Sequence, residues 1–231
     1  MPVVAVKRSK RYKSSAEKAV ETPLDIEAGI SKLKEFKGTK FDQSVELIFS
    51  LGIDAKQADQ TIRSSVSLPH GIGKSKRVVA FVSADKVEAC KAAGAIKAGG
   101  QELVAEIEKD NFTDFDVAVS TPDMMRFVGR LGKVLGPKGL MPSPKAGTVT
   151  ADPATAVREY SAGKLEFRND SGGNVHTVVG KLSFDNAKLA DNINAMIATV
   201  RRLKPQTSKG VYIKKVVLKG SMPPAVYLNV A

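Results

Sequence analysis

Two spacings of apolar residues divide the chain into helices and strands. Apolar residues at helical spacing over 24–36 and 185–203 predict two amphipathic helices, the second with one continuous apolar stripe. Alternating or half-exposed apolar positions predict six strands in the first and last thirds of the chain. These strands are 41–53, 60–68, 164–168, 174–182, 211–219 and 225–230.

The middle of the chain has a different pattern, because its apolar residues form short continuous runs. Two such runs, 77–82 and 115–119, are typical of strands buried on both faces. Four helices are predicted around them, and Thr121 and Pro122 are expected to be the N-cap and first residue of the third. The helices are 84–93, 101–109, 122–128 and 153–160. Alternation of strands and helices predicts a layered α/β domain with a mostly parallel sheet.

The two ends of the chain resemble each other and differ from the middle. We therefore expect a discontinuous domain of residues 1–68 and 161–231, with residues 69–160 inserted as a second domain. The two covalent connections between the domains would lie at one place, which predicts a hinge.

The basic residues of the chain are concentrated rather than evenly spread. The 36 Lys and Arg residues exceed the 24 Asp and Glu residues, for a net charge of +12. Residues 1–16, 124–151 and 201–231 hold five, five and seven basic residues and no acid, so they carry +17 and the rest of the chain −5. This segregation favours a polyphosphate partner such as nucleic acid over a set of solvated faces.

Composition excludes several classes of protein. An apolar content of 42% is too high for a disordered chain, and no run approaches the roughly 18 apolar residues of a membrane span. The N-terminal apolar run precedes the basic cluster, the reverse of a secretory signal. A single cysteine, Cys90, excludes an internal disulfide and fits a cytoplasmic location.

Enzymatic motifs are missing from the sequence. The glycine-rich segment 129–139 lacks the G-x-x-x-x-G-K-[ST] pattern of a P-loop, and no dinucleotide fingerprint follows the first strand of the middle segment. Two histidines and one cysteine cannot supply a zinc site. Cys90 is predicted to be a packing residue and His70 a structural hydrogen-bonding residue. We expect no catalysis, no metal and no cofactor, and the glycine-rich segment either contacts phosphates or packs against its own domain.

Aromatic residues are too sparse for a platform that stacks single-stranded bases. The chain has nine Phe, four Tyr and no Trp. Binding to a folded RNA is therefore favoured. Composition alone makes Phe41 a core residue more readily than an RNA contact.

One long motif is more specific than these patterns. Residues 125–149, MRFVGRLGKVLGPKGLMPSPKAGTV, resemble the signature of the L-one family, the first protein of the large ribosomal subunit, in its bacterial form. Four shorter motifs resemble those of the family in the same order. They are Lys40-Phe41-Asp42, Leu68-Pro69-His70-Gly71, Glu166-Phe167-Arg168-Asn169-Asp170 and Leu189-Ala190-Asp191-Asn192.

The resemblance implies a two-domain α/β fold: a discontinuous, split α+β sandwich and an inserted three-layer, Rossmann-like domain. It implies a non-enzymatic ribosomal protein, cytoplasmic and monomeric when free of the ribosome. This protein would bind the mobile stalk of large-subunit ribosomal RNA beside the transfer-RNA exit site. It would also repress translation by binding its own messenger.

The resemblance also implies which residues contact RNA, mainly on the discontinuous domain. These contacts, with Lys215 added, are Lys40, Phe41, Ser44, Arg168, Lys215, Ser221 and Met222. Secondary contacts are expected from four basic residues of the insert, Arg130, Lys133, Lys138 and Lys145. For Phe41, this favours RNA contact over the core.

The C-terminal turn departs from the family pattern. The family usually has Thr-Met-Gly there, and this chain has Ser221-Met222-Pro223. Proline removes an amide donor and fixes φ, so any contact that needs that amide or glycine's freedom is in question. Two alternatives stay open at this stage. One is a nucleotide-dependent α/β enzyme with a basic surface, and the other is a basic DNA-associated protein.

Overall fold

The computed structural model describes residues 8–36, 38–110 and 112–230 of the 231-residue chain, so Lys7 of the first basic stretch lies outside the described residues. The protein is of mixed α/β class. Its helices are α1 (Lys10–Ala16), α2 (Ile26–Glu35), α3 (Ala84–Ala92), α4 (Gln101–Asp110), α5 (Met125–Val128), α6 (Gly132–Leu135), α7 (Pro153–Ser161) and α8 (Asn186–Arg202). Its strands are β1 (Ser44–Leu51), β2 (Arg63–Val66), β3 (Val78–Phe81), β4 (Lys97–Gly99), β5 (Val117–Ser120), β6 (Leu165–Arg168), β7 (Asn174–Lys181), β8 (Ile213–Gly220) and β9 (Val226–Leu228).

The chain divides into two compact units. The first contains the described residues up to Ile62, Leu68–Ile72 and the described residues from Arg168 onward; the second contains Arg63–Ser67 and Gly73–Phe167. The boundaries of these units along the chain differ from the expected ones, which lay between residues 68 and 69 and between residues 160 and 161. Arg63 in β2 pairs with Glu166 in β6 at 2.6 Å, and both residues belong to the second unit. The backbone of His70 is bonded to Asn192, which joins 68–72 to the first unit.

The first unit is a four-stranded antiparallel sheet covered on one face by two helices. The strand order is β7-β1-β8-β9, and α2 and α8 contact each other and the sheet. Alternate residues of β1 are buried, Val45, Leu47, Phe49 and Leu51, while their neighbours are half-buried. This is the pattern of a strand that covers a core with one face only.

The second unit contains a three-stranded parallel sheet, in the order β4-β3-β5, with a core on each face. Phe81, Ile107 and Leu131 belong to the core on the side of α4 to α6. Cys90, Val157 and Tyr160 belong to the other, on the side of α3 and α7. Because β3 is buried on both faces, its sequence is a continuous apolar run rather than an alternating one. Cys90 is a fully buried packing residue, as predicted.

The structure corrects several local predictions. Helix α1 and strand β4 had no counterpart in the sequence prediction. Strand β1 begins at Ser44, so Phe41 precedes it. Thr121 is not an N-cap, because 122–124 form a turn in which Met124 N–H donates to the Thr121 carbonyl at 3.1 Å, and the helix begins at Met125.

Candidate nucleic-acid interface

The start of β1 and the end of β8 lie side by side in the first unit. Val45 pairs with Gly220, so the segment before β1 and the turn after β8 leave the sheet at the same end. Gln43, only 2% exposed, joins them: its Oε1 accepts a hydrogen bond from the Met222 N–H at 3.0 Å. Its carbonyl accepts another from the Leu182 N–H at 2.8 Å. The structure therefore brings Lys40, Phe41 and Ser44 to the Ser221–Met222 turn.

The turn itself is held rigidly. Ser221 and Met222 are exposed, whereas Pro223 and Pro224 are buried. The ring of Pro223 packs so closely on Gly220 that a Cβ atom there would lie 2.8 Å from Pro223 Cγ. The Met222 amide is already bonded to Gln43. The groups of the turn that remain for a ligand are therefore the exposed side chains of Ser221 and Met222. The departure from the family pattern at Pro223 is thus accommodated by packing against Gly220 and adds stiffness.

The segment before β1 is fixed in a similar way. Thr39 Oγ1 donates to the Phe41 carbonyl at 3.0 Å, and Asp42 accepts hydrogen bonds from the hydroxyl and amide of Ser183 at 2.8 and 3.2 Å. Phe41 is 52% exposed and Met222 is 49% exposed. Phe41 is therefore not a core residue. Two exposed apolar side chains on a hydrogen-bonded backbone of a basic protein are suited to contact the faces of bases or sugars.

Three lysines lie on the segments that carry or adjoin these two apolar side chains. Lys40 is exposed, and Lys181 Nζ donates to Ser44 Oγ at 3.0 Å. Lys219 lies in β8 directly before the turn. Neither Lys181 nor Lys219 was singled out by sequence analysis. Lys181 is placed here by the pairing of Ser44 with Lys181, a register that could not be inferred from the predicted strands.

Arg168 and Lys215 lie apart from this cluster. Lys215 pairs with Ser50, six residues along β1 from Ser44, or roughly 20 Å at 3.4 Å per residue. Arg168 is exposed at the end of β6. The next residue, Asn169, forms a bridge with Val175, beside the end of β1 that Ser50 occupies. The seven predicted contacts therefore form two groups: five at one end of β1 and two toward the other.

The turn after Arg168 is organised by Asp170. Its Oδ1 accepts hydrogen bonds from the N–H groups of Asn174 at 2.7 Å and Gly172 at 2.9 Å, and its Oδ2 accepts one from Asn174 Nδ2 at 3.1 Å. These bonds, led by that from the Asn174 amide, hold the pKa of Asp170 below its ordinary value. The carboxylate therefore fixes the turn that follows Arg168.

This pKa predicts a pH dependence of stability. The folded form prefers the ionised carboxylate, so its contribution is present above the unfolded pKa of about 3.9 and is lost as pH falls toward the lower folded pKa. As the pH is lowered through this range, the free energy of unfolding of Asp170→Asn should therefore decrease less than that of the wild type. Urea unfolding at a series of pH values measures this, and identical pH slopes for the two proteins would contradict it.

The four basic residues predicted as secondary contacts lie in the second unit and are all exposed: Arg130, Lys133, Lys138 and Lys145. The glycine-rich segment around them consists of short helical turns. Its amides are bonded internally, Gly136 N–H to the Gly132 carbonyl and Gly139 N–H to the Gly136 carbonyl, both at 3.0 Å. These two amides are therefore not available to cradle a phosphate, and the lysine and arginine side chains are the groups presented to a ligand.

Gln43 is a positioning residue that sequence analysis missed. Gln43→Met keeps the length of the side chain but removes the acceptor for the Met222 amide, a bond worth about 0.5–1.5 kcal/mol. We expect hydrogen exchange at that amide to accelerate by about 2- to 10-fold. Gln101→Met, at an exposed position of α4, is the control. Unchanged exchange at Met222 in Gln43→Met would show that Gln43 does not hold the turn.

Comparison with known proteins identifies the family. Residues 33–224 match the model of the Ribosomal protein L1p/L10e family. The chain belongs to this family. Proteins named large ribosomal subunit protein uL1 are similar to it. That of Thermosipho africanus (strain TCF52B) is 48% identical over 227 residues, covering 97% of both chains. That of Thermobifida fusca (strain YX) is 48% identical over 222 residues, covering 96% of this chain and 94% of its own.

The match to the L1p/L10e family includes both segments of the interface, 40–44 and 221–222, and the exposed basic residues of the second unit. It begins after α1, so that helix lies outside the matched range. Within the part of the chain that the structure describes, there is no helix long and apolar enough to cross a membrane. Nor do those residues include a cluster of His, Cys, Asp and Glu suited to a metal ion.

Proposed function

We propose that the chain is a structural protein of the large ribosomal subunit that binds the mobile stalk of large-subunit ribosomal RNA near the transfer-RNA exit site. The observation that carries this proposal is the pair of exposed side chains Phe41 and Met222, on two segments that Gln43 joins, together with Lys40, Lys181 and Lys219 on the same or adjoining segments. Family membership supports it, because the similar proteins are named as members of the large ribosomal subunit.

The interface has groups suited to each part of an RNA chain. Lysines neutralise phosphates, and the hydroxyls of Ser44 and Ser221 can bond ribose 2′-hydroxyl groups, which DNA lacks. Phe41 and Met222 contact bases or sugars. Since the backbone that carries Phe41 and Met222 is hydrogen-bonded before RNA arrives, less ordering entropy is lost there on binding. Arg168 and Lys215 extend the contact along the sheet. No step of this role requires a cofactor or catalysis.

The second unit has a separate part in this proposal. We propose that the two units are a discontinuous RNA-binding domain, a split α+β sandwich, and an inserted three-layer, Rossmann-like domain. The insert contacts RNA through Arg130, Lys133, Lys138 and Lys145, all exposed, and transfer RNA in the exit site is the partner we assign to it. The protein acts in the cytoplasm on the ribosome and is monomeric when free.

A binding measurement tests the principal contact. The full chain is titrated into a labelled fragment of the stalk ribosomal RNA, with duplex DNA of equal length as competitor at the same salt. We expect RNA to be preferred, and log affinity to fall by about 0.7–0.9 per phosphate contact for each log unit of salt. Equal competition by the duplex DNA would contradict RNA recognition and favour a basic DNA-binding protein.

Repression of its own messenger is the second proposed role, through an RNA structure similar to the stalk site. The protein is added to a cell-free translation reaction programmed with its own transcript, and an unrelated transcript is the control. We expect selective repression that added stalk RNA relieves. Repression of both transcripts alike, or of neither, would contradict this role.

A further inference from the structure

We infer that helix α1 forms a second wall of the RNA interface, and that the groove between α1 and the C-terminal turn binds an RNA phosphodiester. This inference rests on the proposed function, since it assigns a further surface to the same partner. The groove lies within the first unit and has a volume of about 470 Å³. One side is formed by residues of α1 and the residues before it, and the other by Lys219 and residues 221–225.

The groove is lined by groups that suit a phosphate. Three cationic side chains, Arg8, Arg11 and Lys219, face it together with the hydroxyl-bearing residues Ser9, Tyr12 and Ser221. None of the residues that line it, all within the described part of the chain, is acidic. A lining with arginine and lysine and no acidic side chain favours an anion, and a polyanion running across the Ser221–Met222 turn would continue directly into the groove.

Helix α1 is built to hold these groups in place. Ser9 caps the helix by accepting a hydrogen bond from the Tyr12 N–H at 3.3 Å. Ser15, which is buried, donates from its hydroxyl to the Arg11 carbonyl at 3.1 Å and marks the side that packs inward. The guanidinium of Arg8 lies 4.8 Å from the centre of the Tyr12 ring, which limits its freedom before a ligand binds.

The basic residues of α1 and of the segment before it differ in whether they line the groove. Arg8 and Arg11 line the groove, whereas Lys10 and Lys13 are exposed on the same helix and do not line it. Since removal of either pair changes the charge equally, the two pairs separate a specific contact from general electrostatic attraction. Arg8 and Lys219, one from each wall, make the most direct test.

The test compares two double variants of the full chain with the wild type, using the stalk ribosomal RNA fragment as probe. Loss of two phosphate contacts in Arg8→Gln/Lys219→Gln should weaken binding about 10- to 30-fold at 0.15 M salt and lower the salt slope by about 1.5. The control, Lys10→Gln/Lys13→Gln, should change affinity by less than about 3-fold. Thermal unfolding of both variants verifies that the fold is kept.

The outcomes distinguish this inference from the proposed function. If the wild type binds the stalk RNA and the two double variants lose affinity equally, the loss reflects general electrostatic attraction. That result would overturn the inference and leave the proposed function standing. Wild-type binding with no loss in Arg8→Gln/Lys219→Gln would overturn it as well. Failure of the wild type to prefer the stalk RNA over duplex DNA would overturn the proposed function and the inference together.

Discussion

Asn192→Ala is expected to lower the free energy of unfolding of the first unit by about 2–4 kcal/mol, because the buried carbonyl of Val179 and two partly buried backbone groups, at His70 and Gly71, lose their partner. Asn192 is fully buried in α8. Its Nδ2 donates to the carbonyls of Val179 at 2.8 Å and Gly71 at 2.9 Å, and its Oδ1 accepts from the His70 N–H at 3.1 Å. One side chain therefore ties the helix, strand β7 and the 68–72 segment together.

Asn194→Ala is the matched control, since Asn194 is exposed on the same helix. Replacing asparagine by alanine at an exposed helical position should change stability by less than about 0.7 kcal/mol. Urea unfolding, followed at amides of the first unit by hydrogen exchange, measures both variants. Equal stability of Asn192→Ala and Asn194→Ala would show that the buried network does not stabilise the unit.

Phe41→Ala is expected to weaken binding to the stalk ribosomal RNA by about 10- to 100-fold, since stacking of an aromatic ring on a base contributes about 1–3 kcal/mol. Phe41 is 52% exposed and its backbone is held by Thr39, so its side chain contributes little to the core. The loss should therefore appear in affinity with little change in unfolding temperature. Fluorescence anisotropy with the labelled RNA measures it.

Ile96→Ala is the control for Phe41→Ala. Ile96 is 50% exposed, but it belongs to the second unit and is none of the residues assigned to the proposed interface. The control should bind the stalk RNA within about 2-fold of the wild type, because it removes exposed apolar surface without removing a ring at the interface. If the two variants lost affinity equally, or neither did, Phe41 would not be an RNA contact.

The long elements of the fold were predictable because their spacing reflects burial. Helix α8 and strand β1 each bury one regular face, and β3 is apolar throughout because both its faces are covered. Helix α1 and strand β4 were missed for physical reasons. The first is short and mostly polar, and the second is three half-buried residues with no alternation. In neither element are apolar residues spaced regularly enough to predict a helix or a strand.

The candidate site was predictable only as far as local motifs reach. Phe41, Ser44 and Met222 came from a family resemblance, and the structure brings them together. Gln43 and Lys181 were not predicted from the sequence, because their roles depend on how the strands pair. A shift of one residue in the pairing would move every side chain of a strand to the opposite face of the sheet. The separation of Arg168 and Lys215 from the other five residues also follows from register, which sequence spacing does not contain.

Association of the full chain with the large ribosomal subunit tests the central claim most directly. Cell extract is sedimented through a sucrose gradient at moderate salt, and the protein is followed across the free, small-subunit and large-subunit fractions. We expect it with the large subunit, and the Phe41→Ala protein should shift toward the free fraction where Ile96→Ala does not. Recovery of the wild type wholly in the free fraction would contradict the account.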